Sequence, residues 1–300
     1  MTVVAIFGPT ASGKSAVAVS LAARVGGEIV SCDAMQLYCG LPVLTNQPSE
    51  EDRRRIPHHL VAVWPPEHEG SVAEYASLAH AAIDEILARG RIPILCGGSG
   101  LYLRAAVADM PLPPQPPAAR RAAFEHLYDQ RGATGAHAAL AAVDTRAAAA
   151  VHPNDRRRVV RALELAELGV SLAPTEDVLW AETTRHPTVI AGLELRADQV
   201  AGRIARRTAA MFAGGVVEEV RAARAAHRFS HTAEAVHGLQ DVTALLAGEI
   251  DRAEAARRLE TRTRRYAKRQ RTWMRRLPNV RMVDAARPPD AVAAEIVGWL

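Results

Sequence analysis

The chemistry of this sequence begins at Gly8-Pro9-Thr10-Ala11-Ser12-Gly13-Lys14-Ser15, which fits the pattern G-x-x-x-x-G-K-S. At that spacing a glycine-rich loop turns successive backbone N–H groups, and the N-terminus of the following helix, toward one point where phosphate oxygens bind. Lys14 brings an ammonium to the same point, and the Ser15 hydroxyl is a ligand for a phosphate-bound Mg2+. Of 37 basic residues only Lys14 and Lys268 are lysine. A chain that writes nearly every cation as arginine, yet keeps lysine here, needs a compact ammonium. A bare glycine turn leaves that choice unexplained.

A nucleoside triphosphatase also needs a carboxylate to hold Mg2+ at the end of a hydrophobic strand. The strand available for it, Ile92-Pro93-Ile94-Leu95-Cys96, runs instead into Gly97-Gly98-Ser99-Gly100. The carboxylate that does stand near is Asp33, just past the second strand, at the edge where open α/β sheets gather their ligands. On position alone, a catalytic Asp33 and an ordinary surface aspartate are equally good readings.

The elements that must position these groups read clearly at the start. The loop joins a strand, Val3–Phe7, to a helix from Lys14 to about Val25, and a second strand, Glu28–Ser31, follows. That is the opening of a parallel, helix-covered sheet. An amphipathic helix from about Val72 to Ala88 stops at Gly90 and leads into the strand Ile92–Cys96. Pro111-Leu112-Pro113-Pro114-Gln115-Pro116-Pro117 breaks regular structure and marks a boundary. The expectation is an α/β fold with a P-loop NTPase-like parallel sheet core. Its first part is 1–111; a mainly helical inserted segment spans 112–187, its inner edge not fixed by the sequence; 188–300 completes the core. In that last part Thr188–Leu195 reads as a returning strand. Asp198–Met211, Val216–Ala226, Ala233–Leu246 and Ala253–Leu277 read as helices, and the chain is expected to stay helical to its end.

Composition narrows the class. With 49% hydrophobic residues and no apolar run of membrane-spanning length, the chain reads as an ordinary globular protein without a leader, and the cytoplasm is the expected compartment. Cys32, Cys39 and Cys96 are odd in number and form no C-x-x-C pair, which argues against a disulfide frame or a zinc site. The net charge of +4 is unevenly spread. From Arg252 to Arg276 eleven basic residues face only Glu254 and Glu260, which leaves the rest of the chain net acidic. Leu259, Tyr266, Gln270, Trp273 and Leu277 fall at helical spacing there and can face the core, turning the arginines outward as a phosphate-binding face. Adjacent histidines point apart on most backbones, so His58 and His59 read as structural and not as metal ligands.

The blocks that carry a family resemblance run in order along most of the chain. They are Gly8–Ser15; Ser31-Cys32-Asp33-Ala34-Met35-Gln36-Leu37-Tyr38; Gly97-Gly98-Ser99-Gly100-Leu101-Tyr102; and His152-Pro153-Asn154-Asp155 with Arg158 and Arg161. Arg203, Arg207 and Met211 follow, then Ala267-Lys268-Arg269-Gln270 with Thr272 and Trp273. Together they resemble the tRNA dimethylallyltransferase (tRNA isopentenyltransferase) family. The resemblance implies that the loop Gly8, Pro9, Thr10, Ala11, Ser12, Gly13, Lys14 and Ser15, with Arg203, holds the diphosphate of dimethylallyl diphosphate and not ATP, so no strand-end carboxylate is needed. It implies that Asp33 is the base for an adenine N6 amine, that Thr10 and Ser99 supply hydroxyls, and that Arg207 meets the leaving diphosphate. Mg2+ is implied as cofactor at Ser15, and a monomer as the working form. Contact with a tRNA anticodon stem-loop is implied for Asp33, Ala34, Met35, Gln36 and Ser99, for Arg121, and for Arg157, Arg158, Val159, Val160 and Arg161. The basic C-terminal stretch adds Arg264, Arg265, Lys268 and Arg269.

Several positions depart from the family pattern. Ala34 stands where serine is common, Cys39 where lysine or arginine is, and Val43-Leu44-Thr45-Asn46-Gln47 where a Gly-Thr-Ala-Lys run is. His237-Gly238-Leu239 replaces Ile-Gly-Tyr, and Ser99 replaces threonine. The competing readings are a P-loop small-molecule kinase, which predicts ATP turnover; a dimethylallyltransferase acting on free adenine nucleotide; and a non-catalytic RNA-binding protein, which leaves the loop and Asp33 without a purpose.

Overall fold

Alternating strands and helices fold into a parallel sheet because each helix crossover returns the chain to the same sheet edge. The computed structural model describes residues 2–113, 116, 118–173 and 178–300. Pro114, Gln115 and Pro117 of the proline-rich boundary lie outside the described residues. Two compact units result, residues 1–109 with 182–300, and residues 110–181.

In the first unit the chain runs β1 (Val3–Phe7), α1 (Lys14–Val25), β2 (Glu28–Ser31), α2 (Pro42–Thr45), α3 (Glu50–Arg55), β3 (His58–His59), α4 (Val72–Ala88), β4 (Pro93–Gly97) and α5 (Gly100–Val107). The second unit holds α6 (Ala118–Val143), α7 (Thr145–Ala150) and α8 (Arg156–Glu167). The chain then returns to the first unit with β5 (Thr188–Glu194), α9 (Ala197–Ala213), α10 (Val216–Ala226), α11 (His231–Glu234), α12 (Leu239–Leu246), α13 (Arg252–Met274), β6 (Val280–Asp284) and α14 (Pro289–Val297).

The six strands lie in the order β3-β2-β4-β1-β5-β6, and every pairing is parallel. β1 is central and fully buried, which is why its sequence is a continuous apolar run with no alternation. α1 packs Val17, Ala18 and Leu21 into the same core as Val292, Ala293 and Ile296 of α14. The second unit has its own core, in which Leu140 of α6 and Val159, Val160 and Leu163 of α8 are buried. α6 bends at Gly132, whose φ of 67° and ψ of 177° lie outside the helical region.

Two expectations are corrected. The chain is not helical to its end: β6 extends the sheet beside β5, with Ile190 opposite Val280 and Glu194 opposite Asp284. Ala233–Leu246 is not one helix. Gly238 takes φ 88°, and a Cβ there would lie 2.7 Å from Leu259 Cδ1, so the chain breaks into α11 and α12. His58 and His59 form a short strand, β3. His59 Nε2 lies 2.7 Å from Glu28 Oε2, and Arg89 donates to the same oxygen at 2.9 Å. This pair is structural.

Candidate active site

Because all six strands are parallel, the loops that follow β1, β2 and β4 open on one edge of the sheet. The loop after β1 is Gly8–Gly13. Its turn needs positive φ at Gly13 (93°), and also at Ala11 (64°), where a side chain is tolerated at some strain. A Cβ on Gly8 would lie 3.0 Å from both Leu193 O and Ser12 Oγ, so the loop closes against β5 only with glycine there. Lys14 Nζ donates to Pro9 O at 2.8 Å and is held across the loop. Burial lowers its pKa to about 8, opposed by the negative charge of Asp33 and assisted by the positive field of Arg207.

After β2 the chain turns through Asp33. Its Oδ1 accepts the Met35 N–H at 3.0 Å, and its carbonyl accepts the Gln36 N–H at 3.2 Å. Burial pushes the Asp33 carboxyl above the usual range. The Met35 N–H, Lys14 and Arg207 all pull the other way. Gln36 ties this turn to its surroundings: its Oε1 accepts from Ser31 Oγ at 3.0 Å and its Nε2 donates to Asn46 O at 2.8 Å.

After β4 comes Gly97-Gly98-Ser99. A Cβ on Gly97 would sit 2.3 Å from Cys32 O, and one on Gly100 would sit 2.2 Å from Trp273 Cε3. Glycine is required at both by close backbone and ring approach. Ser99 Oγ lies 3.1 Å from the Tyr266 hydroxyl and 3.5 Å from the Ala34 amide nitrogen. Tyr266 is pushed above its ordinary pKa, by burial first and by the Asp33 charge second, so it stays a phenol and a donor. The His237 ring meets Tyr266 edge-on, 4.6 Å between centroids. Burial drives His237 down to about 4, helped by Arg269, Arg262 and Arg207, so it is a neutral imidazole.

α9 contributes two arginines one turn apart. Arg203 donates to Ser12 O and to Ala285 O, each at 3.3 Å. Arg207 donates no hydrogen bond to a described residue; burial lowers its pKa and Asp33 opposes the shift. A cavity of about 370 Å³ joins these pieces. Its lining includes Thr10, Lys14, Ser15, Asp33, Gln36, Arg203, Arg207 and Gln270, and among the described residues Asp33 is the only carboxylate that lines it. Among the described residues no group of three or more His, Cys, Asp or Glu side chains is arranged to hold a metal.

The structure thus gathers the P-loop, Asp33, Gln36, Arg203 and Arg207 around one cavity, with Ser99 reaching Ala34 beside it. Ala34 and Met35 follow Asp33 in the same turn. Arg121 and Arg157, Arg158 and Arg161 lie in the helical unit, where Arg121 contacts Glu125 at 3.4 Å and Arg161 contacts Glu164 at 3.3 Å. Val159 and Val160, which the resemblance offers as tRNA contacts, have their side chains in that unit's core, so any side-chain contact there falls to the arginines. On α13, Arg265, Lys268 and Arg269 are exposed, while Arg264 is engaged with Glu260 at 3.1 Å. Sequence reasoning treated Gln270 and Tyr266 as core-facing residues and missed that they reach the site. The signal was present: both are polar groups on the inward stripe of an otherwise apolar helix face.

A parallel sheet with a phosphate loop after its central strand defines a P-loop α/β protein. Residues 36–277 match the family model described as IPP transferase, and residues 1–60 match one described as isopentenyl transferase. The tRNA dimethylallyltransferase of Salinispora arenicola is 43% identical over 95% of this chain and 83% of its own length. That of Acidothermus cellulolyticus is 42% identical over 99% and 94%. The crystal structure of the tRNA isopentenylpyrophosphate transferase from Bacillus halodurans is similar with a TM-score of 0.72 and 34% identity, covering 99% of this chain and 95% of that one. A eukaryotic dimethylallyltransferase acting on tRNA has a TM-score of 0.79 at 24% identity, over 99% of this chain and 77% of that one, a likeness of fold. The chain belongs to the tRNA dimethylallyltransferase family.

Proposed function

We propose that this chain transfers the dimethylallyl group of dimethylallyl diphosphate to the N6 amine of the adenosine 3′-adjacent to the tRNA anticodon, releasing diphosphate. The observation that carries the reading is one cavity that joins a phosphate loop and two arginines to a single carboxylate, Asp33. The loop amides, Lys14 and Arg203 bind the diphosphate, and Arg207, which donates to no described residue, meets the charge that grows on it as it leaves. The N6–C1 bond forms as the C1–O bond breaks, and the electrons of that bond depart with the diphosphate. The amine is a poor nucleophile, so its proton passes to Asp33 as the new bond forms. The Asp33 carboxyl is already raised by burial, which makes its anion the stronger base. Thr10 and Ser99 line the approach and offer hydroxyls.

The donor set fits a Mg2+ that arrives on the diphosphate, with the Ser15 hydroxyl as protein ligand, because no acidic cluster is present among the described residues to hold a resident ion. Bound there, the ion would neutralise part of the leaving group's charge. The target adenine is stacked in its loop and must be swung out to reach Asp33. Arg265, Lys268 and Arg269 on α13, and Arg121, Arg157, Arg158 and Arg161 in the helical unit, are proposed to hold the RNA backbone. A monomer working in the cytoplasm completes the proposal. The three cysteines are free, which suits a reducing compartment, and no helix among the described residues is long and apolar enough to cross a membrane.

Labelled dimethylallyl diphosphate incubated with undermodified tRNA, and separately with AMP, tests the reading. Label on the tRNA adenine alone supports it. Label on AMP alone, or Lys14-dependent ATP hydrolysis without transfer, overturns it.

A further inference from the structure

Gln270 belongs to α13, in a stretch rich in arginine, yet its side chain is only 3% exposed. A buried primary amide must satisfy both ends, because an unpaired donor or acceptor away from water is costly. It does so by bridging two loops far apart in sequence. Its Oε1 accepts the Thr10 N–H at 2.7 Å, and its Nε2 donates to Gly98 O at 3.0 Å. Thr10 is in the phosphate loop, and Gly98 precedes Ser99 beside Asp33. The space is made by the absence of a side chain at 98, since a Cβ there would lie 2.0 Å from Gln270 Nε2. One helical turn earlier, Tyr266 reaches the Ser99 hydroxyl at 3.1 Å, so the same helix face fixes the second loop twice.

The geometry points to Gln270 as a positioning residue that sets the distance between the diphosphate loop and the Gly98–Ser99 loop. It therefore sets the register of the carbon under attack against the attacking nitrogen. This rests on the transfer reaction proposed above, in which the first loop holds the donor and the second flanks the acceptor. A primary amide presents a donor and an acceptor on one planar group, and Gln270 uses one for each loop, at 2.7 and 3.0 Å. Displacing reacting atoms by about 1 Å costs on the order of 100-fold in rate, even when each substrate still binds.

The test uses the full chain in two variants, Gln270→Leu and Gln270→Glu, with two readouts. In hydrogen exchange without substrate, Gln270→Leu is expected to speed exchange in segments 8–13 and 97–101 together. Gln270→Glu, measured at a pH high enough to ionise the buried carboxyl, keeps an acceptor for Thr10 but offers no donor to Gly98, and is expected to loosen 97–101 alone. In single-turnover transfer at saturating substrates, both variants are expected to be slower by roughly 100-fold, while equilibrium affinity for dimethylallyl diphosphate changes by no more than about fivefold. Unchanged exchange in both segments for Gln270→Leu overturns the inference. So does loss of protection spread evenly over the sheet, which marks a merely structural residue. A parent protein that transfers no label to tRNA counts against the proposed reaction, and the exchange readout still decides the role of Gln270.

Discussion

At the scale of single residues, the site rests on one ammonium and one carboxylate whose environments move both toward neutral pH. Lys14 is brought down to about 8 by burial, so the free protein loses this charge as pH rises through 8. Bound diphosphate favours the ammonium, so binding above pH 8 must take up a proton. Calorimetry in buffers of different ionisation enthalpy is expected to show that uptake, and affinity falling as pH rises further. Lys14→Ala is expected to abolish diphosphate binding, and Lys14→Arg to come close to it, because a forked guanidinium does not fit a loop closed around an ammonium. Strong pyrophosphate binding by Lys14→Arg in the same titration would show that the loop tolerates a guanidinium. As the proposed base, Asp33 would have to be ionised, and burial raises its carboxyl pKa. The acid limb of kcat/KM should therefore lie above the usual carboxylate range, with activity lost as pH falls through it. Asp33→Asn is expected to slow single-turnover transfer by roughly 100- to 10,000-fold while dimethylallyl diphosphate affinity holds. A variant within a few-fold of the parent would leave Asp33 as a positioning group. Lys14 was legible from the spacing of the phosphate loop, whereas Asp33 and Arg207 were singled out by the family resemblance; all three line the one cavity. Gln270 was not legible, because its partners lie 260 and 172 residues away and no local pattern announces a bridge.

Among the elements, α13 is the one with two faces. Its inward stripe holds Leu259, Ala267, Gln270 and Met274, and its outward face holds Arg265, Lys268 and Arg269. The sequence counted eleven cations against two acids. The structure reduces that excess, since Arg262 is 3.0 Å from Asp241 and Arg257 and Arg258 both reach Glu254. Arg264 is held by Glu260, but an exposed pair of this kind is weak and releases easily. Replacing Arg265 and Lys268 with alanine is expected to lower tRNA affinity and to reduce its salt slope by about one unit per lost phosphate contact. Affinity for dimethylallyl diphosphate should not change. A parental salt slope would mean that this face is merely solvated. Helix and strand types were readable wherever periodicity was long, as in α1, α4, α9 and α13. β6 was hidden because Arg281 and Asp284 make it a short, polar edge strand after a run of helices. The break before α12 was hidden because Leu259 and Leu44 crowd Gly238 only after folding.

For the whole molecule, the order of the sheet decides where everything meets, and the order is what a single sequence carries least. The parallel class followed from the strand–loop–helix alternation, but the place of β1 between β4 and β5 follows from which apolar faces fit together. The helical unit has a core of its own, so its stability can be altered separately. Leu140→Ala, at a fully buried position, is expected to weaken protection of the slowest-exchanging amides in 118–167 by about 2–5 kcal/mol. Diphosphate affinity should be retained, because every residue lining the cavity lies in the other unit. Loss of that affinity in Leu140→Ala would show that the two are coupled. The bridge from Gln270 to Thr10, and the seat of α14 on α1, also have a consequence in time. A ribosome makes the phosphate loop roughly 250 residues, and on the order of 10–50 s, before its buttress. Throughout that interval the nascent loop has neither the amide beneath Thr10 nor the helix that covers α1. Competence for substrate is therefore acquired only once α13 and α14 have been made, and a nascent chain that stops short of them carries the whole phosphate motif without the means to hold it in shape.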